Sequence, residues 1–260
     1  MRQMIYAITL AAAAAVPMAM AGPAVAQQQS RPALTDMSDA ERERLRTEIR
    51  AYLLENPEVL FEAIQILEAR RDATRRNQDA KTIAEKADAI FNDGVSWVGG
   101  NPDGDVTVVE FSDYRCGYCK KAHPEIQALV ESDPNVRLVV KEFPILGPDS
   151  VAAARMALAA LQLDPDRFGA LNDALMSFEG GLTEATAYQI AAHAGYDIPA
   201  LKEAAASDAV SQAVAANYAL ARDLGLEGTP AFIIGNQIVR GYIPLEQMQA
   251  AVEQTRAAMN

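Results

Sequence analysis

Apolar and polar residues follow different rhythms in successive parts of this 260-residue chain. In "SDAERERLRTEIRAYLLENPEVLFEAIQILEARR", Leu45, Ile49, Leu53, Leu60, Ile64 and Leu67 recur close to one face, the spacing of two amphipathic helices. Ser38 is placed to cap the first, and Asn56 and Pro57 read as the N-cap and first residue of the second. A helical pair this small cannot bury such a stripe within itself, so the stripe must pack on the rest of the chain or on other copies. "EARRDATRRNQDAKTIAEK" then turns polar on every side. That pattern predicts a solvated helical linker and favours packing on other copies.

The rhythm changes again at "DVTVVEF", which is β-branched and apolar throughout, as a buried strand is. "CKKAHPEIQALVES" follows with Ile126, Leu129 and Val130 at helical spacing and with Pro124 inside the helix, where it should kink it. "NVRLVVKEFPIL" is a second apolar strand. Residues 149 to 224 read as helix after helix, with Asp164-Pro165, Asp197-x-Pro199 and Ser207-Asp208 as starts and Gly225 as a stop. "LEGTPAFIIGNQIVRGYIPLEQMQAAVEQTRA" gives a loop with Pro230, a strand, a Gly235-Asn236 turn, a second strand and an amphipathic terminal helix. The order is β-α-β, a helical block, then β-β-α, an α/β chain preceded by a helical module.

The amino terminus changes where this chemistry would operate. Arg2 precedes an alanine-rich apolar run from Met4 to Ala21, and Ala24-Val25-Ala26 offers small-x-small cleavage before polar glutamines. This is the layout of a secretory signal peptide over residues 1–26, leaving 27–37 as a flexible mature start. A retained membrane anchor fits less well, because alanine is weakly lipophilic and Pro17 interrupts the run. No later stretch is long and apolar enough to span a bilayer, so an exported, soluble protein is expected, periplasmic or secreted. The formal charge is -12, and losing residues 1–26 removes one Arg and no acid. An acidic exported chain without a long Lys/Arg cluster is a poor ligand for nucleic acid or anionic membranes.

The two cysteines, Cys116 and Cys119, stand in "SDYRCGYCKKAHPEI". Structural zinc needs four ligands, and the two cysteines and two histidines here lack the usual spacings. A c-type haem needs His directly after the second Cys, where Lys120 stands. A purely structural disulfide across so short a loop would contribute only about 2 kcal/mol. A redox dithiol is the reading that suits an oxidising compartment. Cys116 falls at the amino end of the helix, where unpaired N–H groups and the dipole favour a thiolate. It is therefore the expected exposed, attacking sulfur. Cys119, nearly one turn deeper, is the expected buried thiol that resolves mixed disulfides.

Taken together these segments resemble the DsbA-like branch of the thioredoxin superfamily over roughly residues 95 to 258. The resemblance rests on CGYC at 116–119, Pro124, "KEFPILGPDS" from Lys141, and Thr229-Pro230. It implies a thioredoxin domain (94–147 and 225–260) with an inserted helical domain (148–224). It also implies a cis Pro230 whose loop, with Thr229, Gly117 and Tyr118, meets the extended backbone of a substrate. The family often has Pro-His between its cysteines, whereas Gly117 and Tyr118 stand here. Glu110, six residues before Cys116, reads either as a solvated edge carboxylate or, as the resemblance implies, as a buried acid that takes a proton from Cys119 through water. Lys141 resembles a lysine that balances this acid, and also reads as an exposed strand-end lysine. His123 reads first as a surface residue and second as a group that tunes the thiols, and His193 as a helix-end residue.

The module at 38–70, with "LLENPEVLFEAI", followed by the linker at 71–93, resembles the suppressor of copper sensitivity protein C group. Members use this module to oligomerise, which implies a homo-oligomer, a trimer before a dimer. The expected activity is exported thiol:disulfide exchange on unfolded or misfolded protein substrates, chiefly disulfide formation, recharged by a membrane redox partner. Its rivals are an oligomeric isomerase or reductase and a copper-tolerance protein using the same thiols. No cofactor beyond the Cys116–Cys119 disulfide and no dedicated metal site are expected.

Overall fold

The computed structural model describes residues 37–259. The expected signal peptide and the cleavage site near Ala26 lie outside the described residues. The chain divides into two units, one ending at Ala63 and the other beginning at Ile64.

In the first unit Ser38 caps α1 (Asp39–Glu55) in a reciprocal box: its hydroxyl accepts from the Glu41 N–H, and its own N–H donates to Glu41 Oε2 at 2.8 Å. Asn56 closes α1, its backbone N–H donating to Tyr52 O at 2.8 Å. The next helix, α2 (Glu58–Glu85), accordingly starts one residue after Pro57. Leu45, Ile49, Tyr52, Leu54, Leu60 and Phe61 are exposed.

No Gly or Pro interrupts residues 58–85, and α2 runs through the whole span. The amphipathic helix and the linker read from the sequence are thus parts of one helix. Its last turns are not solvated on every side. Ile83 is buried in the second unit's core, and Asp79 receives a two-pronged contact from Arg240, 2.9 Å on each arm. The polar pattern misled because one isoleucine and one aspartate suffice to dock a short helical end. Burying Ile83 contributes about 2 kcal/mol. A short helix, α3 (Ala87–Phe91), adds the buried Ile90.

The second unit is built on a five-stranded sheet. Its strands are β1 (Trp97–Gly100), β2 (Val106–Ser112), β3 (Val136–Glu142), β4 (Ala231–Ile234) and β5 (Gln237–Arg240), in spatial order β1-β3-β2-β4-β5. β2 and β3 are parallel, and the other pairs are antiparallel. β1 had no sequence signal, because "WVGG" is short and half glycine, and it exists through its pairing with β3. Gly235, with φ 60°, makes the β4–β5 turn where expected.

Alternate residues of β2 serve two cores. Val106 and Val108 pack with Ala122, Ile126 and Leu129 of α4 (Gly117–Ser132) and with Met248 and Val252 of a terminal helix, Leu245–Met259. Val109 and Phe111 pack on the other face, with Ile83, Ile90 and Leu220. Between β3 and β4 lie α5 (Pro148–Leu163), α6 (Pro165–Ser177), α7 (Glu184–His193), α8 (Ile198–Ala205) and α9 (Asp208–Asp223); the terminal helix is α10. Asp164-Pro165, Asp197 and Ser207 start α6, α8 and α9 as the sequence indicates. Alanines 153, 154, 157, 159 and 160 of α5 are buried and let its neighbours approach closely. Tyr114, Cys116 and Cys119 belong to this helical core, so the dithiol lies at the seam between sheet and inserted helices.

Candidate active site

β2 ends at Ser112, and the chain turns once before α4. Asp113 holds that turn: Oδ1 accepts from the Arg115 N–H at 2.8 Å, and Oδ2 accepts from the Ile145 and Leu146 N–H groups at 2.9 and 3.1 Å. Cys116 is thereby set at the N-cap of α4, with extended backbone angles. Its sulfur stands where a capping oxygen would stand, facing the first-turn N–H groups. Cys116 is 8% exposed and Cys119 fully buried, and both are free thiols. The expectation of an exposed Cys116 is therefore corrected: the loop carrying Thr229 covers it, and the Thr229 carbonyl accepts from Cys116 Sγ at 3.2 Å.

The two thiols are driven apart electrically. A hydrogen bond from the Cys119 thiol is the largest influence on Cys116; burial opposes it, and the N–H groups of Cys119 and Tyr118 add to it, bringing Cys116 down to about 5. The same bond, then burial, then the charge of Glu110 push Cys119 far above the ordinary thiol range. A depressed thiol stabilises the reduced fold above the unfolded thiol range, near about 8.5, and that gain is lost as pH falls through the folded value of about 5. The difference in thermal midpoint between reduced and oxidised protein should therefore shift against the reduced form from pH 9 to 4. The same difference at every pH, or no thiolate absorbance step near pH 5, would contradict this assignment.

The Thr229–Pro230 peptide is cis, and Pro230 O accepts from the Gly241 N–H at 3.0 Å. Thr229 Oγ1 is buried without a hydrogen-bond partner. Gly117 has open space where a Cβ would lie, and Tyr118 is exposed beside it. The Tyr118 ring lies 6.5 Å from that of Tyr242, over which the Lys121 ammonium sits at 4.2 Å. Tyr242 carried no sequence signal, since it reaches the site only through the β5 fold-back.

Glu110 is buried, and burial pushes its carboxyl up to about 7, opposed by the Ser112 hydroxyl and helped by the Cys116 charge. It is not a solvated edge residue. Lys141 is not exposed, and it does not balance Glu110. In register it lies beside Phe111, one residue off from Glu110, and so points through the opposite face of the sheet. There, fully buried, it pairs with Asp93 Oδ2 at 2.6 Å, and burial lowers its pKa. His123 is likewise buried rather than at the surface, with Nε2 3.0 Å from Asp173 Oδ1 of α6. His193 ends α7 and is exposed. A buried acid that sequence reasoning passed over is Glu142, next to Lys141. Among the described residues no group of three or more His, Cys, Asp or Glu is arranged to hold a metal ion, and no helix is long and apolar enough to cross a membrane.

Residues 41–73 match the family described as the copper resistance protein ScsC N-terminal domain. A thioredoxin-like oxidoreductase from Silicibacter pomeroyi is 45% identical over 65% of this chain and 97% of its own, with a TM-score of 0.63. A linker-deletion mutant of Proteus mirabilis ScsC is 28% identical over 86% of this chain and 98% of its own, with a TM-score of 0.66. A Na(+)/H(+) antiporter, NhaA 1 of Salinispora arenicola, is 27% identical over 155 residues, 60% of this chain. The match spans only 24% of that curated relative's length. Residues 92–254, which hold the dithiol, the cis-proline loop and the sheet beneath them, match the family described as Thioredoxin, and this chain belongs to that family.

Proposed function

We propose that this protein is an exported thiol:disulfide oxidoreductase acting on other exported proteins, chiefly in the direction of disulfide formation. The observation that carries the reading is Cys116 at the start of α4, held under the Thr229 carbonyl, with Cys119 buried behind it. In the oxidised enzyme a substrate thiolate attacks Cys116 Sγ. The Cys116–Cys119 bond breaks, its electron pair leaves on Cys119, and Cys119 takes a proton from Glu110. A second substrate thiolate then attacks the substrate sulfur of the mixed disulfide and releases the Cys116 thiolate. The substrate has lost two electrons and the enzyme holds them as a dithiol. A thiol brought down to about 5 is a good leaving group, which favours this direction.

The extended substrate backbone is read by the Thr229–Pro230 loop, with Gly117 leaving the approach open and Tyr118 offering an aromatic contact. A membrane redox partner reoxidises the pair. Alkylation trapping in cells tests the direction: a mostly oxidised Cys116–Cys119 pair is expected, and a mostly reduced pair would overturn disulfide formation.

The exposed apolar residues of α1 and early α2 favour a second reading, an oligomeric isomerase. Each such side chain gains about 1.5–3 kcal/mol on burial, and a second and third copy of the same helices supply a matching surface. Several dithiols then face one misfolded substrate.

A further inference from the structure

β2 and β3 run parallel, with Glu110 opposite Val140 and Ser112 opposite Glu142. Residues two apart on a strand share a face, so Glu110, Ser112 and Glu142 all lie on the α4 side. The rest of that face is apolar, from Val106 and Val136 to Val140. Two buried carboxyls, each 3% exposed, are thus diagonal neighbours with a serine between them. Glu110 Oε1 and Ser112 Oγ are both buried with no well-formed hydrogen bond, and the Ser112 hydroxyl is close enough to Glu110 to lower its carboxyl pKa.

The nearby cations are committed elsewhere. Lys141 faces away to Asp93, Lys120 donates to Leu175 O and Phe178 O, and Arg115 donates to Leu146 O. The groups around Glu142 are Glu110 and Ser112 of β2, Asp113 and Tyr114 of the turn, Asn172 of α6 and Asn217 of α9, which donates to Glu142 O at 3.0 Å. At the start of α4 the Cys116 charge acts on Glu110, and the Glu110 charge acts on Cys119.

The hydroxyl of Tyr114 accommodates either protonation state of Glu142. It lies 2.7 Å from Glu142 Oε1 and 3.2 Å from Asn172 Oδ1, and it has one proton for two acceptors. With Glu142 protonated, the chain runs from Glu142 to Tyr114 to Asn172 and every contact is made. With Glu142 ionised, turning the Asn172 amide lets its NH₂ donate to Tyr114, which donates to Glu142. Both protonation states are fully bonded, so this site can give and take a proton without leaving a buried group unpaired.

We propose that Glu142 is a positioning residue of the thiol site, sharing one buried proton with Glu110 across Ser112 and so setting the pH at which Glu110 serves Cys119. The inference rests on the exchange reaction proposed above. Burial is the main cause that pushes Glu110 up to about 7 and Glu142 up to about 8; the Cys116 charge raises Glu110 further, and the charges of Asp113 and Glu110 raise Glu142. When the disulfide opens, Cys119 leaves as thiolate and takes the Glu110 proton. Until then the shared proton rests on Glu110 and the negative charge on Glu142, bonded by Tyr114; afterwards Glu110 recovers a proton from solvent.

Single-turnover rates with a peptide thiol, from pH 5 to 9, test this. Glu142→Gln removes a negative neighbour, so the limb assigned to Glu110 should move about one pH unit lower, with up to about tenfold slower exchange on that limb. In a Glu110→Gln background the same substitution should change nothing further. Tyr114→Phe, which keeps both acids, should shift the limb in the same direction but less. An unmoved limb in both variants, with only thermal stability altered, would overturn the proposal. Infrared carboxyl titration of the reduced protein reads the pair without turnover: two coupled steps in the wild type and one, lower, in Glu142→Gln. Absent exchange with that titration intact would sink the proposed reaction and leave the pair standing. An unshifted titration would sink the pair alone.

Discussion

Iodoacetamide should alkylate Cys116 at least about a hundredfold faster than Cys119 at pH 7 in the reduced protein. Exposure alone cannot produce such a ratio, because Cys116 is only 8% exposed. The difference comes from protonation. Cys116 is brought down to about 5 by the Cys119 hydrogen bond and the helix start, while Cys119 is raised by that same bond and by burial. A low-pKa thiolate is intrinsically less nucleophilic, which trims the ratio without reversing it. The same asymmetry decides the fate of mixed disulfides. Cys119→Ser should accumulate covalent adducts between Cys116 and substrate proteins, because Cys119 can no longer release a substrate whose own second thiol is slow to attack. Cys116→Ser should accumulate none and should lose exchange altogether. Equal alkylation rates, or adducts in both variants, would mean that the roles are wrongly assigned.

Removal of residues 27–70 should convert a homo-oligomer, a trimer before a dimer, into a monomer by light scattering. The cut has to stop there. A deletion through residue 91 would also take Asp79, Ile83 and Ile90, which dock on the catalytic unit, and would cost that unit about 1.5–3 kcal/mol for each buried isoleucine. The shortened protein should still oxidise a simple dithiol at the full-length rate, because that reaction needs one active site. Refolding of a scrambled disulfide substrate should fall several-fold, since linked active sites supply an effective dithiol concentration on the order of millimolar and a monomer does not. A full-length mature protein that is monomeric at micromolar concentration would end the oligomer reading and remove the main support for isomerisation. Equal loss of both reactions would point instead to damage in the catalytic unit.

What was legible in the sequence was carried by short-range chemistry. The two thiols and their helix, the buried strands β2 and β3, the Gly235-Asn236 turn and the caps at Ser38, Asp197 and Ser207 each depend on a few neighbouring residues. The Thr229-Pro230 loop was legible through resemblance, and the Cys116–Thr229 contact then spans 113 residues. Other features depend on partners no local pattern can announce. β1 exists because β3 pairs with it, and α2 docks through Asp79 to Arg240, 161 residues away. His123 is buried because α6 brings Asp173 against it, and Tyr114 finds Glu142 28 residues on and Asn172 58 residues on. Lys141 and Glu142 show the division most sharply. Strand periodicity by itself determined that these two neighbours face opposite ways. Only the tertiary structure decided which of them shares a face with Glu110, because that depends on the register between β2 and β3 and on which face receives α4. The packing energy of many distant apolar side chains sets both.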